Sequence, residues 1–391
     1  MTTAVPLEAA VREAAPESRG LTGLRGVAAV LVVLHHASLH FGGGTDLPVV
    51  GGLLRKGYLG VDLFFVLSGF VMSMVYGRWF AGKDVPARPG AGRRRAVAVA
   101  VFLVRRGARL WPLHAAVLAV AVACLALQGL PLPSWRFALA NVLMVQGWGV
   151  SGEINPPAWS ASTELLAYLV FPCIAAPVLR SRWGAALGLA VIVALLTACL
   201  LLAPPLGPGR RGLLDLYYNY SMLPPMRCLA GFLLGMLAWR AGGAAWVRHL
   251  AQNPSMGPGI LVALVGVLLG WGNDLLALAL MPGLVLAMHH GQGRGWGLLS
   301  DGPLHWLGTL SYAIYLIHYL PLAALPARPG ATATVLVLYA MTTLLLAVFA
   351  HRVVEQPARR MIRWLGEGAL PRAVRPAVRR LLRRDRRWHQ S

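Results

Sequence analysis

Ten apolar stretches recur from Leu21 to Ala350, and each reaches or approaches the roughly 20 residues that carry a helix across ~30 Å of hydrocarbon. In lipid, backbone N–H and C=O groups must be satisfied internally, so such runs can only be helices. Composition agrees: 57% of the 391 residues are hydrophobic and 13% charged, too apolar a balance for a water-soluble globule. The sequence therefore predicts an all-α, polytopic integral membrane protein of about ten transmembrane helices. A single anchor on a soluble domain is excluded.

Letting basic connections face the cytoplasm orients the chain. Spans then fall at Leu21 to Phe41, Tyr58 to Tyr76, Leu110 to Gln128, Trp159 to Leu179 and Ala185 to Leu202. The second half adds Ser221 to Trp239, Gly257 to Gly272, Leu275 to His290, Leu304 to Ala324 and Thr332 to Val353. Both termini lie inside, with Arg93, Arg94, Arg95, Arg105, Arg106 and Arg109 in one inner loop, and Arg180, Arg182, Arg240, Arg248 and Arg294 in others. Arg55, Lys56, Arg210 and Arg211 fall outside, against the rule. Trp135 to Trp148 is apolar but short, and a crossing there would throw Arg180 and Arg182 outside; it is read as re-entrant or interfacial. The divisions are thus a cytoplasmic tail over 1–20, a transmembrane domain over 21–357, and an Arg-rich cytoplasmic tail over 358–391 lying on the anionic inner leaflet.

The net charge of +22 sits in connections and tail, which is membrane topology and not a nucleic-acid patch. The four cysteines are isolated, in or beside apolar runs, and imply neither disulfides nor a metal site. The N-terminus has no apolar stretch before Leu21, so the first span itself directs membrane insertion.

Ionisable residues inside apolar runs are expensive and mark candidate sites. Arg25 stands at the cytoplasmic mouth of the first span, with His36 eleven residues further on. At ~1.5 Å per residue that is roughly 16 Å deeper, and eleven steps of ~100° bring the two to one helix face while His35 points elsewhere. Asp62 opens the second span and needs a partner, while Gly60 and Gly69 permit close helix approach; Ser68 lies between polar and apolar positions of the same run. Arg106 and Arg109, three apart, either clamp a phosphate together or simply obey topology. Glu164 lies within the fourth span after Trp159 and Ser160, and His36 or an arginine is its expected partner. Ser311, Tyr315 and His318 form a polar stripe in the ninth span, either glue or site, and Glu355 precedes Pro357, the expected helix end.

In order, Arg25-x10-His36, the Gly-Val-Asp-x-Phe-Phe-x-x-Ser-Gly run from Gly60 to Gly69, Arg106-x-x-Arg109, Trp159-Ser160…Glu164, Ser311-Tyr-x-x-Tyr315-x-x-His318 and Glu355-x-Pro357 resemble the membrane acyltransferase family 3. The resemblance covers roughly Leu21 to Pro357, with Ala161 and Leu165 departing from the family pattern around Glu164. It implies transfer of an acyl group from acyl-CoA, the simplest being acetyl-CoA, to a hydroxyl of a carbohydrate, lipid-linked sugar or macrolide-type acceptor. No permanently bound cofactor or metal is implied. On that reading His36 is general base or transient acyl carrier, Arg25 and Glu164 assist it, and Arg106 and Arg109 seat the CoA phosphates. The Arg-rich, Lys-poor composition suggests a GC-rich bacterial source and a place in the cytoplasmic membrane. The rival class is a transporter or flippase, which also uses intramembrane His, Asp, Glu and Arg, though no pair of related halves is visible.

Overall fold

The computed structural model describes residues 19–42, 50–81, 91–206, 210–217, 220–291, 297–325 and 333–368, and among them there is no strand. Of the expected tails over 1–20 and 358–391, residues 1–18 and 369–391 lie outside the described residues, as does Arg294. All ten apolar stretches are helical. The first half holds α1 (Arg19–Phe41), the short α2 (Val50–Arg55), α3 (Gly60–Ala81), α4 (Ala91–Leu127), α5 (Trp135–Val142), α6 (Ala158–Arg180) and α7 (Arg182–Leu202). Then come α8 (Leu223–Ala241), α9 (Ala245–Gln252), α10 (Met256–Gly266), α11 (Asp274–His290), α12 (Gly297–Ser300), α13 (Pro303–Ile317), α14 (Tyr319–Ala324), α15 (Ala333–Ala350) and α16 (Gln356–Gly368).

Among the described residues seven helices are long and apolar enough to cross a membrane, or eight if α8 is joined to α9 across a bend of 100°, fewer than the ten expected. The stretches Met256–Trp271 and Asp274–His290 are shorter apolar helices; the first is cut off at Gly270, whose φ of +105° no helix sustains. Large apolar side chains stand exposed along α7 and α15, among them Leu187, Val193, Leu201, Val337, Leu345 and Phe349, as a lipid-facing surface requires. Helix α5 has eight residues, capped by the Ser134 hydroxyl accepting from the Phe137 N–H, and is too short to cross.

Two expectations need correction. The arginine cluster is not a loop: α4 begins at Ala91 and carries Arg95, Arg105, Arg106 and Arg109 on a continuous 37-residue helix. Arginine is a good helix former, so positive charge at a membrane face does not require irregular backbone. Nor does Pro357 end the last span. After α15 a five-residue π turn, His351–Glu355, leads directly into α16, whose first turn holds Pro357 where the missing N–H has no intrahelical role.

The interior is built on backbone-close helix pairs. Gly69 of α3 abuts the Phe232 carbonyl of α8, and Gly235 of α8 abuts the Val66 carbonyl of α3, so a Cβ at either position would collide with main chain. Gly308 of α13 meets the Thr22 carbonyl of α1 in the same manner. These contacts align α1 with α13 and α3 with α8, placing His36 and His318 together at one end of the bundle and the arginines of α4 toward the other. Gly69→Val should lower the thermal midpoint of detergent-solubilised protein by the equivalent of about 1–3 kcal/mol, since carbonyls cannot move aside as side chains do. Gly107→Ala, with nothing within 4 Å of its added Cβ, should leave the midpoint unchanged or raised.

Candidate active site

Polar side chains run through the bundle from the arginine end to the histidine end. At the arginine end Arg109 lies 3.9 Å from Glu355, which also accepts from His351 at 2.8 Å and Arg359 at 3.3 Å. Glu355 therefore does hold basic residues, and ties α4 to α16. Arg106, three residues from Arg109, turns to a different neighbourhood. It donates to the Tyr76 hydroxyl at 3.0 Å and lies over the Tyr76 and Tyr168 rings at 5.1 and 5.7 Å. The two arginines share a helix but not a target, each being drawn to its own protein partners.

Behind Tyr168 lies Glu164. Its carboxylate accepts from the Ser68 hydroxyl at 2.7 Å and the Tyr168 hydroxyl at 2.5 Å, so its partners are neither His36 nor a direct arginine, as the sequence suggests. Ser160, one turn away on α6, lies 2.8 Å from the Tyr315 hydroxyl. The four-residue step of roughly 6 Å puts Glu164 level with Ser68 and leaves Ser160 facing the histidine end. Ser311 is fully buried with no hydrogen-bond partner for its hydroxyl, while Tyr312 bonds the Leu110 carbonyl at 2.6 Å. The polar stripe of α13 thus faces inward.

His36 and His318 meet with ring centroids 5.0 Å apart, and Tyr319 closes a third side 6.1 Å from His36. His36 Nδ1 lies 2.9 Å from the Val32 carbonyl, and His318 Nδ1 2.7 Å from the Tyr315 carbonyl. A carbonyl only accepts, so each Nδ1 carries the hydrogen and each Nε2 carries the lone pair. Nε2 of His318, in a side chain with 0% exposure, has no hydrogen-bond partner. His35 looks away from this pair: its Nδ1 bonds the Leu54 carbonyl at 2.6 Å and its ring packs edge-on against Tyr58. The helix-face separation of His35 from His36 is real, but His35 is buried within the protein and faces no lipid. Arg25 stays on α1, half-buried and roughly 16 Å along the axis from His36, so the two share a helix without touching.

A strap over residues 210–217 adds residues that the sequence reading missed. The Asp274 carboxylate anchors it, accepting from the Leu214 N–H at 2.9 Å and the Tyr58 hydroxyl at 2.7 Å, with Lys56 3.8 Å away. Arg210 bonds the Leu213 carbonyl within the strap, and Arg211 pairs with Asp215 at 3.6 Å. Lys56, Arg210 and Arg211, three of the four topological exceptions, are consumed by these contacts. The strap ends on Tyr217, whose hydroxyl donates to Glu153 at 2.6 Å and whose ring lies 5.8 Å from that of Trp159. Burial raises the Glu153 carboxyl to about 7 against the opposing Tyr217 hydrogen bond.

Under Trp159 lies Arg227, with its guanidinium 5.7 Å from the ring and bonded to Asp62 at 2.8 and 2.5 Å. This is the partner Asp62 required. Arg227 carried a readable signal, a lone arginine inside an apolar run, whereas Glu153 and Tyr217 carried none beyond the scarcity of acidic residues, 14 in the whole chain.

Lipid-facing helices enclosing a lone-pair imidazole and a polar column define an integral membrane protein with an enzyme-like interior. Residues 18–352 match the acyltransferase domain family, and the chain belongs to that family as a membrane O-acyltransferase. It is 30% identical to acyltransferase MdmB of Streptomyces mycarofaciens over 387 residues, covering 88% of this chain and 92% of that one. It is 24% identical to the putative peptidoglycan O-acetyltransferase YrhL of Bacillus subtilis and 23% to the peptidoglycan O-acetyltransferase OatA of Listeria monocytogenes. Those matches cover 87% of this chain but 54% and 55% of the relatives, so it spans about half their length. No solved structure matches it.

The raised Glu153 carboxyl has a stability consequence. Between the ordinary carboxyl range near pH ~4.5 and about 7, the folded chain holds a proton that the unfolded chain has released, so stability falls as pH rises through that window. Glu153→Gln should remove this component: the thermal midpoint of the wild type relative to the variant should decline from about pH 5 to about pH 7 and level off above it.

Proposed function

We propose that this acyltransferase moves an acyl group from acyl-CoA, acetyl-CoA being the simplest donor, to a hydroxyl of a carbohydrate, lipid-linked sugar or macrolide-type acceptor, with His36 as the base. The observation that carries this reading is the His36 tautomer. With Nδ1–H held by the Val32 carbonyl, Nε2 offers a lone pair inside a cage made with His318 and Tyr319. A neutral imidazole is the form that tolerates such burial and also the form that removes a proton at neutral pH.

In the step proposed, the acceptor oxygen attacks the thioester carbonyl carbon as Nε2 takes its proton. The tetrahedral intermediate collapses, the C–S bond breaks, and the proton passes to the departing CoA thiolate. The donor would enter at the arginine end. CoA keeps its phosphates far from its thioester on a long flexible arm, which suits arginines about three helical turns from the base. Arg25, together with Arg106 and Arg109, borders that entry; Arg109 would exchange Glu355 for phosphate to bind it directly. Glu164, held by Ser68 and Tyr168, keeps Tyr168 under Arg106 and so acts on the donor path through its neighbours. We place the arginine end at the cytoplasm of a bacterial inner membrane, where acyl-CoA is found and where positive charge accumulates. The names of the relatives, one an acyltransferase of a Streptomyces and two concerned with peptidoglycan, support a hydroxyl acceptor.

With purified protein and labelled acetyl-CoA, His36→Ala should reduce transfer by roughly 10²–10⁴-fold with normal membrane insertion; full activity would remove His36 from the mechanism. His35→Ala should act on stability, leaving the Leu54 carbonyl unpaired at a cost of about 1–3 kcal/mol while retaining measurable transfer. Arg106→Ala should raise the KM for acetyl-CoA more than it lowers kcat.

A further inference from the structure

Glu153 and Tyr217 stand apart from the polar column and have no role in the donor path. Three features set them at the rim of the histidine site. Asn155, two residues past Glu153, donates to the Leu316 carbonyl of α13 at 3.0 Å, two residues before His318. The Tyr217 ring lies 5.8 Å from that of Trp159, whose neighbour Ser160 donates to the Tyr315 hydroxyl at 2.8 Å, and the Tyr315 ring lies 5.9 Å from His318. And the strap is pinned to Asp274 through the Leu214 N–H, with its own Leu214 and Leu216 fully buried, so Tyr217 is presented by a fixed element.

The chemistry of the pair is that of a receptor for hydroxyl groups. Tyr217 is 37% exposed; one side of its ring leans on Trp159 at an interplanar angle of 36°, and its hydroxyl holds Glu153 Oε2. A carboxylate offers about four lone-pair sites, of which Tyr217 uses one. Above about pH 7, where Glu153 is ionised, hydroxyl donors to it form charge-assisted bonds, stronger than neutral ones. The exposed aromatic surface beside it suits the C–H face of a saturated ring. A purely structural tie between strap and loop would have no use for a carboxyl partly open to solvent, since an amide or a serine would serve it without the burial cost.

We propose that Glu153 and Tyr217 form the acceptor-binding subsite, in which an acceptor with adjacent ring hydroxyls places one on the Glu153 carboxylate and its ring beside Tyr217, delivering the neighbouring hydroxyl to His36. This rests on the reading of His36 as the base. Glu153 is then a specificity residue: it recognises the hydroxyl that is not acylated.

The test measures acetyl transfer from acetyl-CoA to two probes, methyl β-D-glucopyranoside, with several adjacent hydroxyls, and cyclohexanol, a comparable ring with a single one. The wild type should prefer the glucoside. Glu153→Gln should raise the glucoside KM by about tenfold or more with a smaller change in kcat, and should collapse the preference toward cyclohexanol, as loss of one charge-assisted hydrogen bond implies. Tyr217→Ala should do the same, and serves as the second variant should Glu153→Gln fold poorly by thermal midpoint. A glucoside KM within about twofold of wild type in both variants, or a wild type that transfers no acetyl to the glucoside, would overturn the proposal. A drop in kcat shared equally by both probes, with KM unmoved, would also overturn it, since that is what loss of a structural tie alone produces. His36→Ala run in parallel separates the two readings: retained transfer there defeats the base assignment, whereas an unmoved KM in the Glu153 and Tyr217 variants defeats only the acceptor subsite.

Discussion

The buried pair of Arg227 and Asp62 is the contact on which the rest of the bundle depends. Each side chain is 2% exposed or less, and an unpaired charge at that depth would cost several kcal/mol. Pairing is possible because Gly69 and Gly235 let α3 and α8 touch backbone to backbone. From that pair the arrangement propagates outward. Arg227 supports the Trp159 ring and bonds the Tyr58 carbonyl; Tyr58 reaches Asp274; Asp274 holds the strap; and the strap lays Tyr217 over Trp159. The ion pair acts less as a source of stability than as a registry device, which buried pairs serve best.

Within this frame the two ends of the protein have different chemistry. The arginine end is cationic and crowded with aromatic rings, suited to a phosphate-bearing donor. The histidine end has imidazoles and phenols, with Glu153 and the paired charges of the strap at its rim, which suits a neutral, hydroxyl-bearing acceptor. The column through Tyr168, Glu164, Ser68 and Ser160 joins them without a charged residue exposed to lipid. Such a division would suit the proposed reaction, in which donor and acceptor differ in charge.

Much of this was legible from residue patterns. Apolar run length placed helix under each of the ten runs, because lipid forces backbone bonds to close within each run, although seven or eight of the described helices, not ten, are long and apolar enough to cross. Eleven-residue spacing separated His36 from His35, because helical twist is a local property. The inward polar stripe of α13 followed from the same periodicity. What misled was punctuation: Pro357 reads as a stop, yet a preceding π turn let it begin the next helix, and the arginines of α4 read as a loop although they are helical.

Side-chain partnership was beyond reach of the sequence. Asp62 and Arg227 are separated by 165 residues, Tyr217 and Glu153 by 64, and nothing local tells either which partner it has. Glu164 found Ser68 and Tyr168 instead of His36 because the level of a residue along its helix depends on how neighbouring helices slide, and small-residue contacts decide that sliding. The sequence by itself determined that this chain is a membrane bundle of helices, which ionisable residues fall within its apolar runs, and that His36 and His35 occupy different faces of the first helix. Only the tertiary structure decided which polar groups meet, since those choices are made across helices, where distance in space has no counterpart in distance along the chain.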